Sequence, residues 1–293
     1  MMETEQVMRK HGKTFFWASA FLPREEAQDI YTLYAFCRFV DDHVDIKGLS
    51  CQKIIEDLQI KQSPIVPLQN FLSMAIRRKM SLEPAKILVK TIEEDREGQR
   101  VDSWGTLIRY CYGVASTVGL MMCDILGVNN PQAHAFAIDL GIAMQLTNIA
   151  RDVYEDACQN RIYLPIQAFS NPINHAYILS KDNQMEVLKV REQVLKLADR
   201  YYSSADQGMH FLPARSRLAI IMASRLYQAK GETIRQNPLK YLKVRANVQF
   251  LKKIHHTLRA VRFFCKNIIQ PKSEIRHDAS LHVDLQYLHA VDV

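Results

Sequence analysis

The stretch from Leu140 to Asp156 reads LGIAMQLTNIARDVYED and decides the fold of this 293-residue chain. Its first half is almost entirely apolar, and its second half carries polar residues four positions apart, at Asn148, Asp152 and Asp156. Residues at that spacing lie on one face of an α-helix. The stretch therefore predicts a long, largely buried helix with one polar face.

A second apolar stretch, from Ile30 to Val40, runs into the sequence DDHVD at 41–45. Asp41 and Asp45 again lie four apart, and Arg38 stands close by. Like charges at this spacing repel each other, so a cation is expected to compensate them. Carboxylate and amide oxygens, without Cys or His at metal spacing, favour Mg²⁺, which carboxylates commonly hold together with substrate phosphates. For either cluster alone, a solvated helix face is the simpler interpretation.

The rest of the chain shows apolar residues at spacings of three and four, without alternating strand patterns or a Gly/Ser-rich linker. Proline and glycine breaks divide it into about ten helices. We therefore predict an all-α fold with a single helical domain over residues 1–270. Residues 271–293 turn polar and aperiodic, so we expect a tail that packs poorly and contributes nothing catalytic.

Several classes of protein are disfavoured. The first residues carry no apolar signal segment, and nowhere do eighteen apolar residues run together, which predicts a cytoplasmic protein. Six cysteines without a CxxC pair indicate reduced thiols rather than disulfides or a zinc site. Despite a sequence pI of about 9.0, the chain has no nucleic-acid-binding signature. The sequence does not indicate an oligomeric state.

The net charge of +7 is concentrated near the C-terminus, because residues 233–273 contain ten Lys or Arg and no Asp or Glu. A helix in this stretch carries basic residues beside an apolar stripe formed by Leu251, Ile254, Leu258, Val261, Cys265 and Ile268. The simpler interpretation is a last helix packed on the core with its basic face in solvent. The alternative is peripheral contact with an anionic membrane surface.

Two further segments allow more than one interpretation. The sequence Gly12-Lys13-Thr14 lacks the upstream glycine and the preceding strand of a nucleotide-binding loop. His11 and Lys13 could still meet phosphate oxygens, or could simply lie on the surface. Between the acidic clusters, small residues interrupt a hydrophobic helix at 113, 115, 116 and 119. They allow either close helix packing or a channel for a long apolar ligand, with Leu120, Met121 and Met122 on its wall.

Taken together, these features resemble the squalene and phytoene synthase family, the head-to-head prenyl diphosphate coupling enzymes. The resemblance covers most of the chain. It is carried by residues 11–16, 34–42, 110–119, 145–156 and 161–165, with weaker matches at 223–227 and Arg245.

The resemblance implies a class I isoprenoid-synthase fold, in which antiparallel helices surround a deep apolar cavity. It implies that two or three Mg²⁺ ions are held by Asp41, Asp42, Asp45, Asn148, Asp152 and Asp156. It assigns substrate diphosphate binding to His11, Lys13, Thr14, Tyr34, Arg38, Gln145, Asn148, Arg151, Tyr227 and Arg245. Tyr110 matches the position of proton abstraction, and Asp41, Asp45, Asp152 and Asp156 count with it as catalytic.

The amino-acid sequence of the second motif is most similar to that of bacterial phytoene synthases. These enzymes join two geranylgeranyl diphosphates through a cyclopropylcarbinyl diphosphate. Squalene and dehydrosqualene synthases, which use farnesyl diphosphate, remain the alternative, and NADPH would be needed only for a squalene-type reaction. A non-catalytic relative serving as an assembly or scaffold protein also remains open. Gly12, Ser116, Ala150 and His43 depart from the family pattern, and none of them is a proposed metal ligand.

Overall fold

The computed structural model describes residues 2–45, 50–96, 100–128, 130–246, 250–269 and 276–286, excluding the side chains of 2, 3, 45, 250–253 and 266–269. Over these residues the chain forms fourteen α-helices and no strand, so the predicted all-α class is confirmed. The helices are α1 Met2–His11, α2 Lys13–Ser19, α3 Arg24–Asp45, α4 Gln52–Ile60, α5 Val66–Arg78, α6 Glu83–Arg96, α7 Trp104–Cys111, α8 Thr117–Ile125, α9 Pro131–Cys158, α10 His175–Leu179, α11 Gln184–Gly208, α12 Ala214–Gln236, α13 Lys240–Lys243 and α14 Phe250–Ile269.

Helix α9 is the centre of the bundle. Asn130 caps its N-terminus by accepting a 3.0 Å hydrogen bond from the Gln132 amide, and Pro131 occupies the first helical turn. The helix runs for 28 residues and packs most extensively on α11, with α8 and α12 also against it. The stretch that decides the fold thus lies in the middle of the molecule.

The helix count exceeds the predicted number of about ten because some breaks carry no strong sequence signal. Gly12 separates α1 from α2 within a continuous turn, and the Gly12 amide still donates to the Met8 carbonyl at 2.7 Å. Helices α7 and α8 are joined by a π-helical turn over Tyr112–Ser116. An inserted residue of this kind rotates the following side chains around the helix axis. The turn falls inside the segment of small residues noted above.

Residues 276–286 contradict the expectation of loose packing. They include a 3₁₀ helix over Ala279–Leu285, in which Leu281 and Leu285 are buried in the same apolar cluster as α9 and α11. The Tyr201 hydroxyl donates a 2.7 Å hydrogen bond to the Leu281 carbonyl. Two apolar anchors spaced four apart are too few to register as a helical pattern, which explains why the sequence failed to predict this contact. The remainder of the tail lies outside the described residues.

Helix α14 packs on α12 with the face opposite to the predicted one. His256 and Ala260 are buried, and the Arg225 guanidinium of α12 lies 4.4 Å above the ring of Phe263. The described members of the apolar stripe are instead exposed; these are Ile254, Leu258, Val261 and Cys265. Over the described part of the chain, no helix combines the length and apolar character needed to cross a bilayer.

Candidate active site

A cavity of about 370 Å³ lies between α9 and the helices around it. Its wall is predominantly apolar, as expected of a site for an apolar ligand. It is lined by residues of α1, α2, α3, α8, α9, α11 and α12 and of the π-helical turn, including Met8, Phe15, Ala18, Ser19, Leu22, Ile30, Leu33, Cys37, Val114, Ala115, Val118, Gly119, Met122, Leu126, Ala133, Phe136, Ala137, Leu140, Met144, Gly208, Phe211, Ile220 and Ala223.

Polar groups from three helices line one part of this cavity. They are Tyr34 and Asp41 of α3, Gln145 and Asn148 of α9, and Tyr227 of α12. Burial raises the pKa of Tyr34 to about 12, and the neighbouring Tyr227 and Asp41 add to the rise. Tyr34 therefore remains a neutral hydrogen-bond donor at physiological pH. The structure thus brings residues of both predicted acidic segments to one polar region of the cavity.

The first acidic segment is divided between two roles. Asp41 faces the cavity, whereas Asp42 forms an ion pair with Arg38 one helical turn earlier. Burial disfavours the charged form of Arg38, but its contacts with Asp42 and Asp41 outweigh this and raise its pKa. Arg38 is therefore permanently cationic beside Asp41. The predicted ligand Asp45 ends α3, and its side chain lies outside the described residues.

Two arginines contact the same carboxylate of the second acidic segment. Arg151 donates to both carboxylate oxygens of Asp152, with an Nε–Oδ1 distance of 2.7 Å. Arg245, 93 residues further along the chain, reaches the same carboxylate with Nε 3.1 Å from Oδ1 and Nη2 3.2 Å from Oδ2. Arg151 is mostly buried, whereas Arg245 is half exposed. The guanidinium groups of Arg151 and Arg245 therefore converge on the Asp152 carboxylate. A substrate diphosphate could take the place of this carboxylate as their partner.

The charged form of Asp156 is disfavoured in the metal-free protein. Burial raises its pKa to about 7, and repulsion from Asp152 and Glu155 adds to the rise, which Arg161 and Arg151 only partly offset. Carboxylates that repel each other in this way bind a divalent cation readily. Asp156 does not line the 370 Å³ cavity, and its role as a metal ligand stays a prediction.

The residues present fit a hard divalent cation. The Asn148 Oδ1 atom is buried without a hydrogen-bond partner, although its Nδ2 group donates to Gln145 Oε1 at 3.2 Å. An unpaired buried oxygen costs free energy unless a ligand or an ion meets it. The Asn148 amide oxygen and the carboxylates of Asp41, Asp152 and Asp156 are all oxygen donors, the type that Mg²⁺ prefers. In the described part of the metal-free chain these three carboxylates do not form a compact cluster, and their joint coordination of an ion stays a prediction.

Tyr110 does not line the cavity. It is buried, with 8% of its surface exposed, and belongs to the apolar cluster around α9 and α11. Its ring stacks on Tyr163, and its pKa is raised well above the usual value by burial and by the nearby Asp95. Tyr163 belongs to the 161–165 segment, but no pattern in the sequence pairs it with Tyr110.

The predicted phosphate-binding residues near the N-terminus lie at the surface. His11 and Lys13 are exposed and Thr14 is half-buried, and none of the three lines the cavity. They are nevertheless close to it, because a Cβ added at Gly12 would lie only 2.9 Å from the Tyr34 ring. Gly12, which departs from the family pattern, thus lets the backbone approach Tyr34.

The small residues between the acidic segments serve both predicted purposes. A Cβ at Gly119 would lie 2.7 Å from the Ala137 carbonyl oxygen, so this glycine allows close packing of α8 on α9. Gly119 also lines the cavity, as does Met122. The predicted wall residues Leu120 and Met121 do not line it, because they face the apolar clusters on either side of α8.

Sequence reasoning missed several residues of the polar region. The Phe15 ring packs against Tyr227 with centroids 5.2 Å apart, and Lys230 Nζ lies 3.4 Å above the same ring. Cys37 lines the cavity, and burial beside Asp41 raises the pKa of its thiol. Cys37 could have been noticed because it lies four residues before Asp41, on the same helix face.

The chain is similar to known proteins over most of its length. A family model described as squalene/phytoene synthase matches residues 8–252. The chain is 32% identical over 243 residues to the phytoene synthase of Rhodobacter capsulatus, covering 78% of this chain and 71% of that protein. It is 31% identical over 264 residues to the 4,4'-diapophytoene synthase of Staphylococcus haemolyticus, covering 85% and 91%. A crystal structure of a dehydrosqualene synthase in complex with a ligand is similar with a TM-score of 0.81 and 25% identity, covering 90% of this chain and 96% of that one.

Proposed function

The chain belongs to the squalene/phytoene synthase family of head-to-head prenyltransferases, and we propose that it joins two geranylgeranyl diphosphates to form phytoene. The reaction proceeds through a cyclopropylcarbinyl diphosphate, whose second ionisation and rearrangement give the linear C40 product. The protein is then a transferase of carotenoid biosynthesis.

The extent of the cavity lining along α9 is the observation that supports the choice of substrate. Ala133 and Asn148 both line it and lie 15 residues apart on α9, a distance of about 22 Å at 1.5 Å per residue. An isoprene unit adds roughly 5 Å to an extended chain, since it contains four C–C bonds of about 1.5 Å in a zigzag. Four units measure roughly 20 Å by the same estimate, which supports a geranylgeranyl chain lying along α9 with its diphosphate near Asn148.

The charged residues act on the departing diphosphate. Arg38, Arg151 and Arg245 offer cationic forks at the polar end of the cavity, where negative charge develops on the leaving group. Mg²⁺, when bound by Asp41, Asn148, Asp152 and Asp156, supplies further electrostatic stabilisation of that charge. Asp45 and Asp42 are proposed to complete the metal-binding set, and Asp42 would first have to leave Arg38.

The apolar wall protects the allylic cation that ionisation leaves behind. Val118 and Leu140 line the cavity with saturated hydrocarbon groups that cannot act as nucleophiles, and together with Met122 they exclude the water that would otherwise quench the cation. Tyr110 is proposed to receive the proton lost during cyclopropane formation. Because Tyr110 lies outside the cavity wall, this role requires substrate to approach it between α7 and α9.

Three other functions are distinguished by one experiment, in which the full-length protein is incubated with Mg²⁺ and either farnesyl or geranylgeranyl diphosphate. The hydrocarbon is identified by mass spectrometry with and without NADPH. A C40 product without NADPH supports the proposal. A C30 product overturns it in favour of dehydrosqualene synthase, or of squalene synthase if NADPH changes the product. No product from either substrate would indicate a scaffold protein.

The role of the acidic residues is tested with the Asp152→Asn variant. Turnover should fall by at least a hundredfold while the circular dichroism spectrum remains helical, because the carboxylate that holds Arg151, Arg245 and the metal is lost. Asp182→Asn, at an exposed position before α11, is the matched control and should keep full activity. Activity of Asp152→Asn equal to that of the control would refute the metal role.

We also propose that α14 contacts an anionic lipid surface. Leu258 is 63% exposed, and Ile254 and Val261 are exposed on the same helix face. Arg259 and Arg262 flank this stripe, within a stretch of 41 residues that carries ten basic and no acidic side chains. An apolar stripe beside basic residues fits an anionic bilayer, which offers both hydrocarbon and negative charge.

Sedimentation with lipid vesicles tests this contact. Binding to vesicles of phosphatidylglycerol and phosphatidylcholine should fall about tenfold or more in R259Q/R262Q, at about 1 kcal/mol per charge. Leu258→Gln should weaken it as well, whereas K196Q/R215Q, which removes two exposed charges elsewhere, should not. Equal binding of all variants, or equal binding to pure phosphatidylcholine, would refute the contact.

A further inference from the structure

A second cluster of metal-ligating side chains lies away from the active site. Asp139 precedes Asn148 by nine residues on α9, which is about two and a half helical turns. It therefore points away from the polar face of α9, toward α11 and the 3₁₀ helix over Ala279–Leu285. Its carboxylate is completely buried, with 0% of its surface exposed.

Two histidines close to the 3₁₀ helix converge on this carboxylate. His277 Nε2 lies 2.8 Å from Oδ2, and His282 Nε2 lies 2.8 Å from Oδ1. The two imidazole rings are 4.3 Å apart, and the ligand atoms of all three residues lie within 4.8 Å of one another. The Ser204 hydroxyl bonds to the same carboxylate and holds its orientation. The carboxylate and the two imidazole nitrogens thus lie close enough to one another to share one metal ion.

The buried carboxylate of Asp139 is suited to a cation. Burial opposes the charged form, but hydrogen bonds from His277, His282 and Ser204 outweigh it and keep the pKa below its usual value, so the carboxylate is ionised at neutral pH. A buried carboxylate is costly unless it is paired, hydrogen-bonded or bound to a metal ion. The ligand atoms of Asp139, His277 and His282 lie close enough together to coordinate one divalent ion.

We propose that Asp139, His277 and His282 bind a borderline divalent transition-metal ion, with Zn²⁺ the best match, at a site separate from the magnesium site. Two imidazole nitrogens and one carboxylate oxygen are a common ligand set for zinc, with a fourth position left for water. Zinc–ligand distances of about 2.0–2.1 Å place ligand atoms roughly 3.3 Å apart in a tetrahedron. The histidines would therefore move back by about half an ångström, which a short segment near the end of the described chain can accommodate.

Such an ion would hold residues 276–286 against the helical bundle. One of its ligands, His277, would at the same time contact a residue of the cavity wall. Only Leu281 and Leu285 anchor the segment by apolar burial. His277 also meets the ring of Phe136 edge-on at 5.3 Å, and Phe136 lines the cavity. The metal thus acts as a structural tether behind one wall of the cavity.

The test uses the full-length protein freed of metal with a chelator and kept in excess Mg²⁺, so that the acidic site is occupied. Calorimetric titration should show one equivalent of Zn²⁺ bound at least a hundredfold more tightly than by the double variant H277A/H282A. Co²⁺ bound in place of Zn²⁺ should give the visible absorption of a tetrahedral site, which H277A/H282A should lose and H175A should retain. His175 is half-buried at the start of α10, outside this cluster, and serves as the matched control.

Two further measurements keep the result unambiguous if the alanine variants fold poorly. His282→Gln keeps a side-chain amide that can donate to Asp139 but is a weak zinc ligand, so it should retain the helical circular dichroism spectrum and lose tight Zn²⁺ binding. Zn²⁺ should also slow proteolysis of residues 276–286 in the natural sequence and not in His282→Gln. Equal zinc affinity of the natural protein, H277A/H282A and His282→Gln would overturn the proposal and leave the three residues as a hydrogen-bonded contact.

Discussion

The rings of Tyr110 and Tyr163 stack with their centroids 4.9 Å apart and their planes inclined by 19°. The Tyr163 hydroxyl donates a 2.6 Å hydrogen bond to Asp95 Oδ2, and the hydroxyls of the two tyrosines are also hydrogen-bonded to each other. Asp95 thereby orients Tyr163, and Tyr163 orients Tyr110. If Tyr110 accepts a proton at its hydroxyl oxygen, it passes its own proton to Tyr163, and Tyr163 passes its own proton to Asp95, so that atoms and charge balance.

Tyr163→Phe removes this orientation without emptying the core. We expect kcat to fall about 10- to 100-fold, in the range of general acid–base contributions, while KM changes little because Tyr163 does not line the cavity. Tyr177→Phe, near the surface and bonded to Glu186, is the control and should leave kcat unchanged. Steady-state kinetics of both variants measure the effect. A Tyr163→Phe enzyme with full kcat would mean that Tyr110 needs no positioning by Tyr163.

Arg245→Gln tests the long-range partner of Asp152. Arg245 is half exposed and reaches Asp152 with Nε at 3.1 Å, so it can turn to a substrate diphosphate without leaving the site. Charge-assisted bonds contribute about 1.5–3 kcal/mol, so KM for the prenyl diphosphate should rise roughly 10- to 100-fold. Lys243→Gln, two residues earlier and also exposed, should change KM far less. An unchanged KM in Arg245→Gln would exclude Arg245 from substrate binding.

Asp156→Asn should stabilise the metal-free protein and do so in a pH-dependent way. An aspartate whose folded-state pKa is raised to about 7 holds a proton that the unfolded chain has already lost, so stability decreases as pH rises from about 4 to 7. In chelator at pH 8, the variant should melt about 2–4 °C higher than the natural protein, with little difference at pH 5. Asp182→Asn should shift neither value. An equal shift at both pH values would contradict repulsion as the cause.

Ala133→Leu tests the far end of the cavity. Ala133 is almost completely buried and lines the cavity 15 residues before Asn148. A larger side chain there should shorten the space along α9 and lower turnover of geranylgeranyl diphosphate at least tenfold relative to farnesyl diphosphate. Gln132→Leu, at the exposed neighbouring position, is the control. Competition assays with both substrates measure the ratio, and an unchanged ratio would show that this end does not limit chain length.

The amino-acid sequence by itself determined the helical class and the polar face of α9. These are local properties: residues four apart share a helix face whatever surrounds them, and a run such as Leu140–Thr147 must be buried because it is apolar. The same reasoning correctly placed Arg38 beside the first acidic segment, since one helical turn joins it to Asp42.

Only the tertiary structure decided which partners these residues take. Arg245 reaches Asp152 across 93 residues, and Tyr110 of α7 stacks on Tyr163, which follows α9 in the chain. The sequence likewise did not predict that Leu258 of α14 is exposed to solvent, or that His282 contacts Asp139. Each of these contacts depends on how separate helices pack, and the periodicity of one helix contains no information about the face that its neighbours leave open.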